Sequence, residues 1–275
     1  EMCKETGSGG IENIFLSGLA SGAVILNSGI QNLSGGSATL TQIRAGGIQN
    51  ISSGGIDTAV TVSSGGTQNV FSAGTASTSI ISGGLQNIFA GGSAVSATVS
   101  SGGNQVVNGG ATITSTSLLS GGTQTLQSGA SVNLTTINRG AVQSVGSTAS
   151  ATSTTLSGGT QTIASGGTAD VTTISSGGNQ IINGGASVTN ATLLSGGSQT
   201  LSSGAIVSVA RVISGAVQSV GSTATAISTT LSGGTQTIAS GGSADSTTIS
   251  AGGIQNLSGG SATLTVISSG GIQNI

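Results

Sequence analysis

Residues 142–170 read VQSVGSTASATSTTLSGGTQTIASGGTAD, and residues 217–245 repeat this stretch almost unchanged after a shift of 75 residues. Its central element, Gly-Gly-x-Gln, recurs along the chain every 18 or 19 residues. A repeat of this length predicts a solenoid, in which each unit contacts only its neighbours. The fifteen anchor positions are Glu12, Gln31, Gln49, Gln68, Gln86, Gln105, Gln124, Gln143, Gln161, Gln180, Gln199, Gln218, Gln236, Gln255 and Gln273.

Each unit has a second regular feature, its aliphatic residues. Ile, Leu or Val stands two residues after every anchor, from Ile14 to Ile275. After a glycine turn comes a small apolar residue, and a larger aliphatic follows five positions later, as in Val132 and Ile137. Because side chains alternate with a period of two along a strand, a spacing of five requires a bend. Each unit is therefore predicted to hold three short strands and three corners, two of them built on glycine.

This pattern predicts an all-β fold, a right-handed parallel β-helix of about fifteen turns. We expect residues 1–275 to form a single solenoid, with residues 1–8 as a lead-in and residues 9–275 as repeats. The aliphatic column that includes Ile14 is expected to be buried. The chain starts without a signal-peptide pattern and stops within a unit, so we expect a truncated fragment of a longer protein.

The composition excludes several classes of protein. The chain contains 51 glycines, no Pro, Trp, Tyr or His, and only 4% charged residues. A hydrophobic content of 35% at regular spacing argues against a disordered linker. A net charge of −2 offers no basic surface for nucleic acid. No apolar run reaches the roughly 18 residues that a membrane-spanning helix needs.

The residues needed for enzyme catalysis are also missing. Without His, and with Cys3 as the only Cys, the chain cannot build a Ser-His-Asp or Cys-His nucleophile. Asp170 and Asp245 share one unit position four turns apart, about 19 Å along the axis, which is too far for a glycosidase pair. We expect these two carboxylates and Asp57 to be solvated. The prediction is a protein that is not an enzyme and uses no cofactor or metal.

The Ser-Gly-Gly-x-Gln repeat covers almost the whole chain and resembles the passenger repeats of the AIDA/TibA group of self-associating bacterial autotransporters. The resemblance implies a secreted passenger on the bacterial surface, at the outer membrane. It implies adhesion to and invasion of host cells, autoaggregation, biofilm formation and a role in virulence. It further implies that a dedicated autotransporter heptosyltransferase modifies Ser and Thr hydroxyls, with ADP-heptose as donor. The expected partners are this transferase, other copies of the chain and the host-cell surface.

Serines at the glycine corners are the candidate O-glycosylation sites. Turn chemistry alone also accounts for serine at these positions. Ser8 opens the first column, and Ala45, Arg139 and Ala251 interrupt it. The main candidates are Ser64, Ser82, Ser101, Ser120, Ser157, Ser176, Ser195, Ser214, Ser232 and Ser269. The secondary candidates, at the other glycine corner, are Ser34, Ser53, Ser72, Ser128, Ser165, Ser240 and Ser258.

The alternative function is a non-enzymatic ice-binding or polysaccharide-binding β-solenoid. Ice binding needs an unbroken column of Thr-x-Thr, and segments 112–114 and 223–225 do not extend into one. The Gln column and the Asn, Thr or Ser column that follows it predict hydrogen-bonded ladders along the axis, with carbohydrate binding as a second interpretation. The second column consists of Asn32, Asn50, Asn69, Asn87, Thr125, Ser144 and Thr162. Phe15, Phe71 and Phe89 share a unit position and predict either an exposed apolar strip or corner packing.

Overall fold

The structure, a computed structural model, describes residues 5–6 and 9–275, with side chains from residue 9 onward. Cys3, Ser8 and most of the expected lead-in lie outside the described residues. The described residues form strands and turns and contain no helix. They fall into two compact units, Glu1–Thr135 and Thr136–Ile275.

The strands are short, as the glycine-rich repeat predicts. In the first unit they are β1 (Glu5–Thr6), β2 (Ile11–Phe15), β3 (Leu19–Ser21), β4 (Val24–Ile25), β5 (Ile30–Ser34), β6 (Ser37–Thr39), β7 (Gln42–Ile43), β8 (Ile48–Ser52), β9 (Ile56–Thr58), β10 (Thr61–Val62), β11 (Thr67–Val70), β12 (Thr75–Ser77), β13 (Ile80–Ser82), β14 (Leu85–Ile88), β15 (Ser93–Ser100), β16 (Asn104–Val107), β17 (Thr112–Leu118) and β18 (Thr123–Leu126). The next strand is β19 (Ser131–Asn138).

The second unit continues in the same style. Its strands are β20 (Val142–Val145), β21 (Ser150–Ser157), β22 (Thr160–Ile163), β23 (Thr168–Ile174), β24 (Asn179–Ile182), β25 (Ser187–Leu193), β26 (Ser198–Leu201), β27 (Ile206–Ile213), β28 (Val217–Val220), β29 (Thr225–Ile227), β30 (Thr230–Ser232), β31 (Thr235–Ala239), β32 (Ser243–Asp245), β33 (Thr248–Ser250), β34 (Ile254–Ser258), β35 (Ser261–Thr263), β36 (Val266–Ile267) and β37 (Ile272–Asn274).

Strands of successive turns pair in parallel and in register. The anchor strand β11 pairs with β8 of the preceding turn and with β14 of the following turn, so that Gln68 lies between Gln49 and Gln86. The other two strands of this turn, β12 and β13, pair with β9 and β10 in a second sheet. In the second unit β22 and β24 pair in the same way, with Gln161 beside Gln180. The predicted β-solenoid with three strands per turn is confirmed.

Glycine forms two of the three corners, as predicted. At the corner before β11, the amide of Gly66 donates to the carbonyl oxygen of Ser63 at 2.9 Å. Gly65 within this turn has φ of 74°, a conformation that glycine adopts without steric cost. The anchor strand β11 begins directly after Gly65 and Gly66. The repeated Gly-Gly is therefore the local signal that ends one strand and starts the next.

The third corner lies between the second and third strands of each turn and is built almost entirely without glycine. Its residues adopt a left-handed backbone conformation, with φ between 50° and 63°. In the middle turns the corner falls inside one continuous strand, such as β15 with Ser96. The corner residues are Leu40, Ala59, Thr78, Ser96, Ser115, Leu134, Ser153, Val171, Asn190, Val209, Ser228, Ser246 and Leu264.

The aliphatic column that follows the anchors lies in the core. Ile14 is 6% exposed, and Leu33, Ile51, Val70 and Ile88 are completely buried, so the predicted column is confirmed. In the second unit the same position is buried from Val145 to Ile238 and becomes exposed only at the last turn. Burial of each such side chain contributes about 1.5–3 kcal/mol, which lets the fold form without aromatic residues in its core.

A charge placed in this column tests the register. Val145→Asp should lower the free energy of unfolding by more than about 4 kcal/mol, because it buries an unpaired carboxylate in a packed row. Ser144→Asp is the matched control, since Ser144 is exposed on the same strand β20; it should change stability by less than about 0.5 kcal/mol. Urea unfolding followed by circular dichroism measures both. Equal stability of the two variants would contradict the register.

Candidate functional site

The anchor glutamines form buried hydrogen-bonded ladders. In the first unit, Nε2 of each Gln donates to the side chain of the preceding anchor, as in Gln49 to Gln31 at 2.7 Å and Gln68 to Gln49 at 2.8 Å. The ladder begins on the carboxylate of Glu12, which accepts from Gln31 at 2.9 Å. In the second unit the bonds from Gln161 to Gln273 lie between 2.7 and 2.8 Å. The predicted amide ladders are confirmed.

The second amide hydrogen of several anchors reaches across the core to a hydroxyl of the same turn. Gln86 donates to Ser79 at 3.1 Å, and Gln255 donates to Thr247 at 3.2 Å. The hydroxyl residues lie two positions before the large aliphatic residue and are buried. The sequence analysis missed this inward column, although its period of two with the aliphatic residue is visible in Thr247 and Ile249.

Burial decides the role of the glutamines. From Gln31 to Gln255 their side chains are at most 1% exposed, so no ligand can reach them. Burial therefore excludes carbohydrate binding by the glutamine column, but not by the outward column of Asn, Thr and Ser that follows it. The ladder satisfies polar groups that would otherwise be costly to bury.

Asp57 corrects the expectation that the aspartates are solvated. It is completely buried and lies in a column of small residues, between Ala38 and Ala76 of the neighbouring turns. Nε2 of Gln49 donates to its Oδ2. Loss of solvation on burial raises the pKa of Asp57 from 3.8 to about 6, partly offset by the hydrogen bond from Gln49. The sequence signal was available, because Asp stands where the other units have Ala, Val or Ile.

The other two aspartates lie on the outside, as predicted. Oδ1 of Asp170 accepts hydrogen bonds from Thr189 at 2.6 Å and Asn190 at 2.8 Å. These hydrogen bonds, with that of Thr189 first, hold the pKa of Asp170 below its usual value. Asp245 accepts from Thr263 at 2.7 Å. Each carboxylate thus links the outer side of its own turn to the next turn by hydrogen bonds.

All predicted acceptor serines lie at accessible corners. In the first column, Ser82 and Ser232 are partly exposed, and the other eight main candidates are exposed. In the second column, Ser34 is partly exposed, and the other six secondary candidates are exposed. The interrupting residues Ala45, Arg139 and Ala251 are exposed as well. Within each unit the structure thus brings the hydroxyls into two columns along the glycine corners.

The glycines beside these serines serve the fold. A Cβ on Gly66 would lie 2.6 Å from the carbonyl oxygen of Ile43, and one on Gly253 would lie 2.7 Å from that of Leu231. The second glycine of the corner therefore faces the backbone of the preceding turn. A side chain at this position would face the stack and not the surface. Substitution by Ala would disturb the stack before it affected access.

Groups for other chemistry are absent from the described residues. Within them, no three Cys, Asp or Glu residues come together to hold a metal ion. No helix in residues 9–275 is long and apolar enough to cross a membrane. Arg139 lies in a surface groove with Ser157 and Ser176, at the first glycine corner.

The sequence matches no family model and no curated protein sequence. Among solved structures, the chain is similar to the crystal structure of a TibA fragment, residues 55–350, hyper-glycosylated by TibC. The identity is 37% and the TM-score 0.84, over 96% of this chain and 91% of the fragment. The chain belongs to the TibA-type autotransporter passenger domains. The expected family is thereby confirmed.

A second solved structure shares only the fold of this passenger. It is a mannuronic acid-specific polysaccharide family 6 lyase from human gut microbiota, with 6% identity and a TM-score of 0.51. The match covers 93% of the passenger and 81% of the lyase. At this identity the likeness shows a shared β-solenoid architecture and carries no activity across.

The buried carboxyl of Asp57 makes stability depend on pH. Because its pKa in the folded state, about 6, lies above the ordinary 3.8, the folded state binds the proton more tightly. The stabilisation is complete below pH 3.8 and is lost as the pH rises through 6, by about 3 kcal/mol. Asp57→Asn should remove this fall, and the exposed Asp170→Asn should retain it. Urea unfolding from pH 4 to 7 measures the difference; parallel curves for wild type and Asp57→Asn would contradict it.

Proposed function

We propose that the chain is an O-heptosylated, surface-displayed autotransporter passenger that acts in adhesion to and invasion of host cells and in self-association. The observation that carries the proposal is the pair of accessible serine columns, in a chain similar to a TibA fragment hyper-glycosylated by TibC. A transferase of the same kind is the proposed modifying partner. The proposed location is the bacterial surface, at the outer membrane.

The chemistry of the surface supports a binding role without catalysis. Charged residues make up 4% of the chain, so little electrostatic repulsion keeps two such surfaces apart. Weak polar contacts that repeat from turn to turn add up along a column. Self-association, autoaggregation and contact with a host cell are therefore proposed to use the outward side chains of the strands. The buried glutamines only hold these side chains in position.

An ice-binding role receives no support from the outer columns. Outward Thr pairs flank the anchors at Thr160 and Thr162 and at Thr235 and Thr237, with Asn179 and Ile181 between them. Such interruptions leave no regular face of threonines. The alternative of polysaccharide binding is supported by a different surface, in the first unit.

Co-expression with an autotransporter heptosyltransferase and its ADP-heptose donor tests the modification. The intact mass should rise in heptose increments, and peptide mapping should place heptose on corner serines such as Ser120. Thr116 of the same turn is 2% exposed and should stay unmodified, because an enzyme cannot reach it in the folded coil. Protein made without the transferase is the control. An unchanged mass, or heptose on Thr116 of folded protein, would contradict the proposal.

Crowding between turns should limit occupancy. Acceptors in one column are about 4.8 Å apart, which is close for a pyranose ring on every turn. Ala251 interrupts the column beside Ser232 and Ser269, and its φ of 48° matches the 50° of Ser101, so serine fits there. Ala251→Ser should gain heptose and lower occupancy at those two neighbours, while distant Ser195 stays unchanged. Full occupancy at all four positions would show that crowding does not matter.

A further inference from the structure

The anchor strands of the first unit carry an outer surface that the fold does not require. Three outward columns run along β2, β5, β8, β11 and β14, and together we call them the asparagine face. Its central column is Asn13, Asn32, Asn50, Asn69 and Asn87. Its flanking columns are Ile11, Ile30, Ile48, Thr67 and Leu85 on one side, and Phe15, Ser34, Ser52, Phe71 and Phe89 on the other.

Between residues 100 and 245 the same positions hold different residues, and asparagine returns only at Asn256 and Asn274. Val106 and Thr125 continue the asparagine column in the first unit, and Thr162 and Ile181 occupy it in the second. These turns fold with the same register and the same buried Gln. Neither asparagine nor phenylalanine is therefore needed for stacking, and their concentration on five turns calls for another explanation.

The asparagines form a ladder that keeps hydrogen-bonding capacity in reserve. Nδ2 of Asn50 donates to Oδ1 of Asn32 at 2.9 Å, and Nδ2 of Asn69 donates to Oδ1 of Asn50 at 3.0 Å. Each inner amide thus uses one N–H and one lone pair in hydrogen bonds to the neighbouring asparagines. An amide group has two N–H bonds and two lone pairs, so one of each remains on every turn. These groups lie on an accessible surface and repeat about every 4.8 Å.

The phenylalanines add a flat aromatic platform beside this ladder. The rings of Phe71 and Phe89 are parallel within 6°, with centroids 4.8 Å apart. On the other side of Phe71 the column continues with the small Ser52 and Ser34. No ring therefore covers the face of Phe71 toward the preceding turn, and Phe71 remains 37% exposed. A planar group stacked on Phe71 would extend the existing stack across Ser52.

The chemistry of the face selects a class of ligand. The three columns contain no charged residue, so they give no preference for an ionic partner. Sugar hydroxyls both donate and accept hydrogen bonds, which matches the spare N–H and lone pair of each asparagine. The C–H face of a pyranose is weakly positive and complements the negative face of an aromatic ring. The amide column and the aromatic platform lie side by side, so one sugar chain can hydrogen-bond to the first and stack on the second.

We propose that the asparagine face binds a neutral, unbranched oligosaccharide, with Phe71 as its stacking platform and Asn50 and Asn69 as its hydrogen-bonding partners. The sugar stacked on Phe71 lies over Ser52, and the rest of the ligand extends from the aromatic platform across the amide column. This site lies apart from the corner serines and does not depend on their modification. It gives the passenger a way to hold a glycan that belongs to another molecule.

Titration calorimetry with the whole chain, purified without a transferase so that no corner sugar competes, tests the site. The probes are three neutral hexasaccharides, cellohexaose, maltohexaose and chitohexaose, and hexameric mannuronate as the charged comparison. At least one neutral hexamer should bind more tightly than the mannuronate. Phe71→Ser should weaken it about five- to tenfold, the loss of one stacked pair. Asn69→Val should weaken it about fivefold, the loss of one hydrogen bond.

Both substitutions are compatible with the fold, because Ser52 occupies the column of Phe71 and Val106 that of Asn69. The matched control is Thr162→Val, at the asparagine position of the second unit, where Ala164 replaces the ring. It should leave the affinity unchanged. The proposal is overturned if no neutral hexamer binds, if mannuronate binds equally well, or if the control weakens binding as much as Phe71→Ser. A failure here leaves the proposed heptosylation standing, since that is measured on other residues.

Discussion

The buried glutamine ladder is the interaction on which the rest of the structure depends. A primary amide in the core is costly unless its donors and acceptor are satisfied, and here each turn satisfies the next. A slip of one residue between turns would point every Gln outward. A slip of two would keep the same face inward but set each amide against an aliphatic side chain. The ladder thus allows one register, where apolar columns alone would tolerate several.

A fixed register explains how the third corner can exist without glycine. A left-handed conformation costs roughly 1–2 kcal/mol for a residue with a Cβ, and more for the β-branched Val171 and Val209. Stacking stabilises it: the N–H of Leu40 at this corner donates to the carbonyl of Thr58 in the next turn at 3.0 Å. Each turn holds its neighbour in the same bent shape, so the strain is offset by contacts that repeat on every turn.

The sequence predicted the parts of the fold that obey a period, and less of what departs from it. The anchors, the column from Ile14 to Ile88 and the two glycine corners follow directly from the repeat. The residue at the third corner changes from Leu40 to Asn190 to Val209, so no residue type marks it. Asp57 was misjudged because an acid was assumed to be solvated, while its place in the Ala column was overlooked. That expectation rested on the residue type and not on the position of Asp57 in the repeat.

A repeat with a fixed interior leaves its exterior free to vary, and the chain uses this freedom in two ways. Residues 100–130 and 142–170 recur 75 residues later, so duplication has copied four-unit blocks together with their corner serines. Copying is harmless to the core, because Gln161 and Gln236 enter identical ladders. It also multiplies any surface feature of the block. The asparagine face lies before these blocks, at residues 11–89; residues 29–51 recur at residues 253–275 with three differences, so two of its asparagines were copied but none of its phenylalanines. The number of turns and the chemistry of the outer surface can therefore change independently. Duplicated turns add equivalent corner serines, whereas the turns before them carry Asn and Phe side chains that are found together nowhere in the copied blocks.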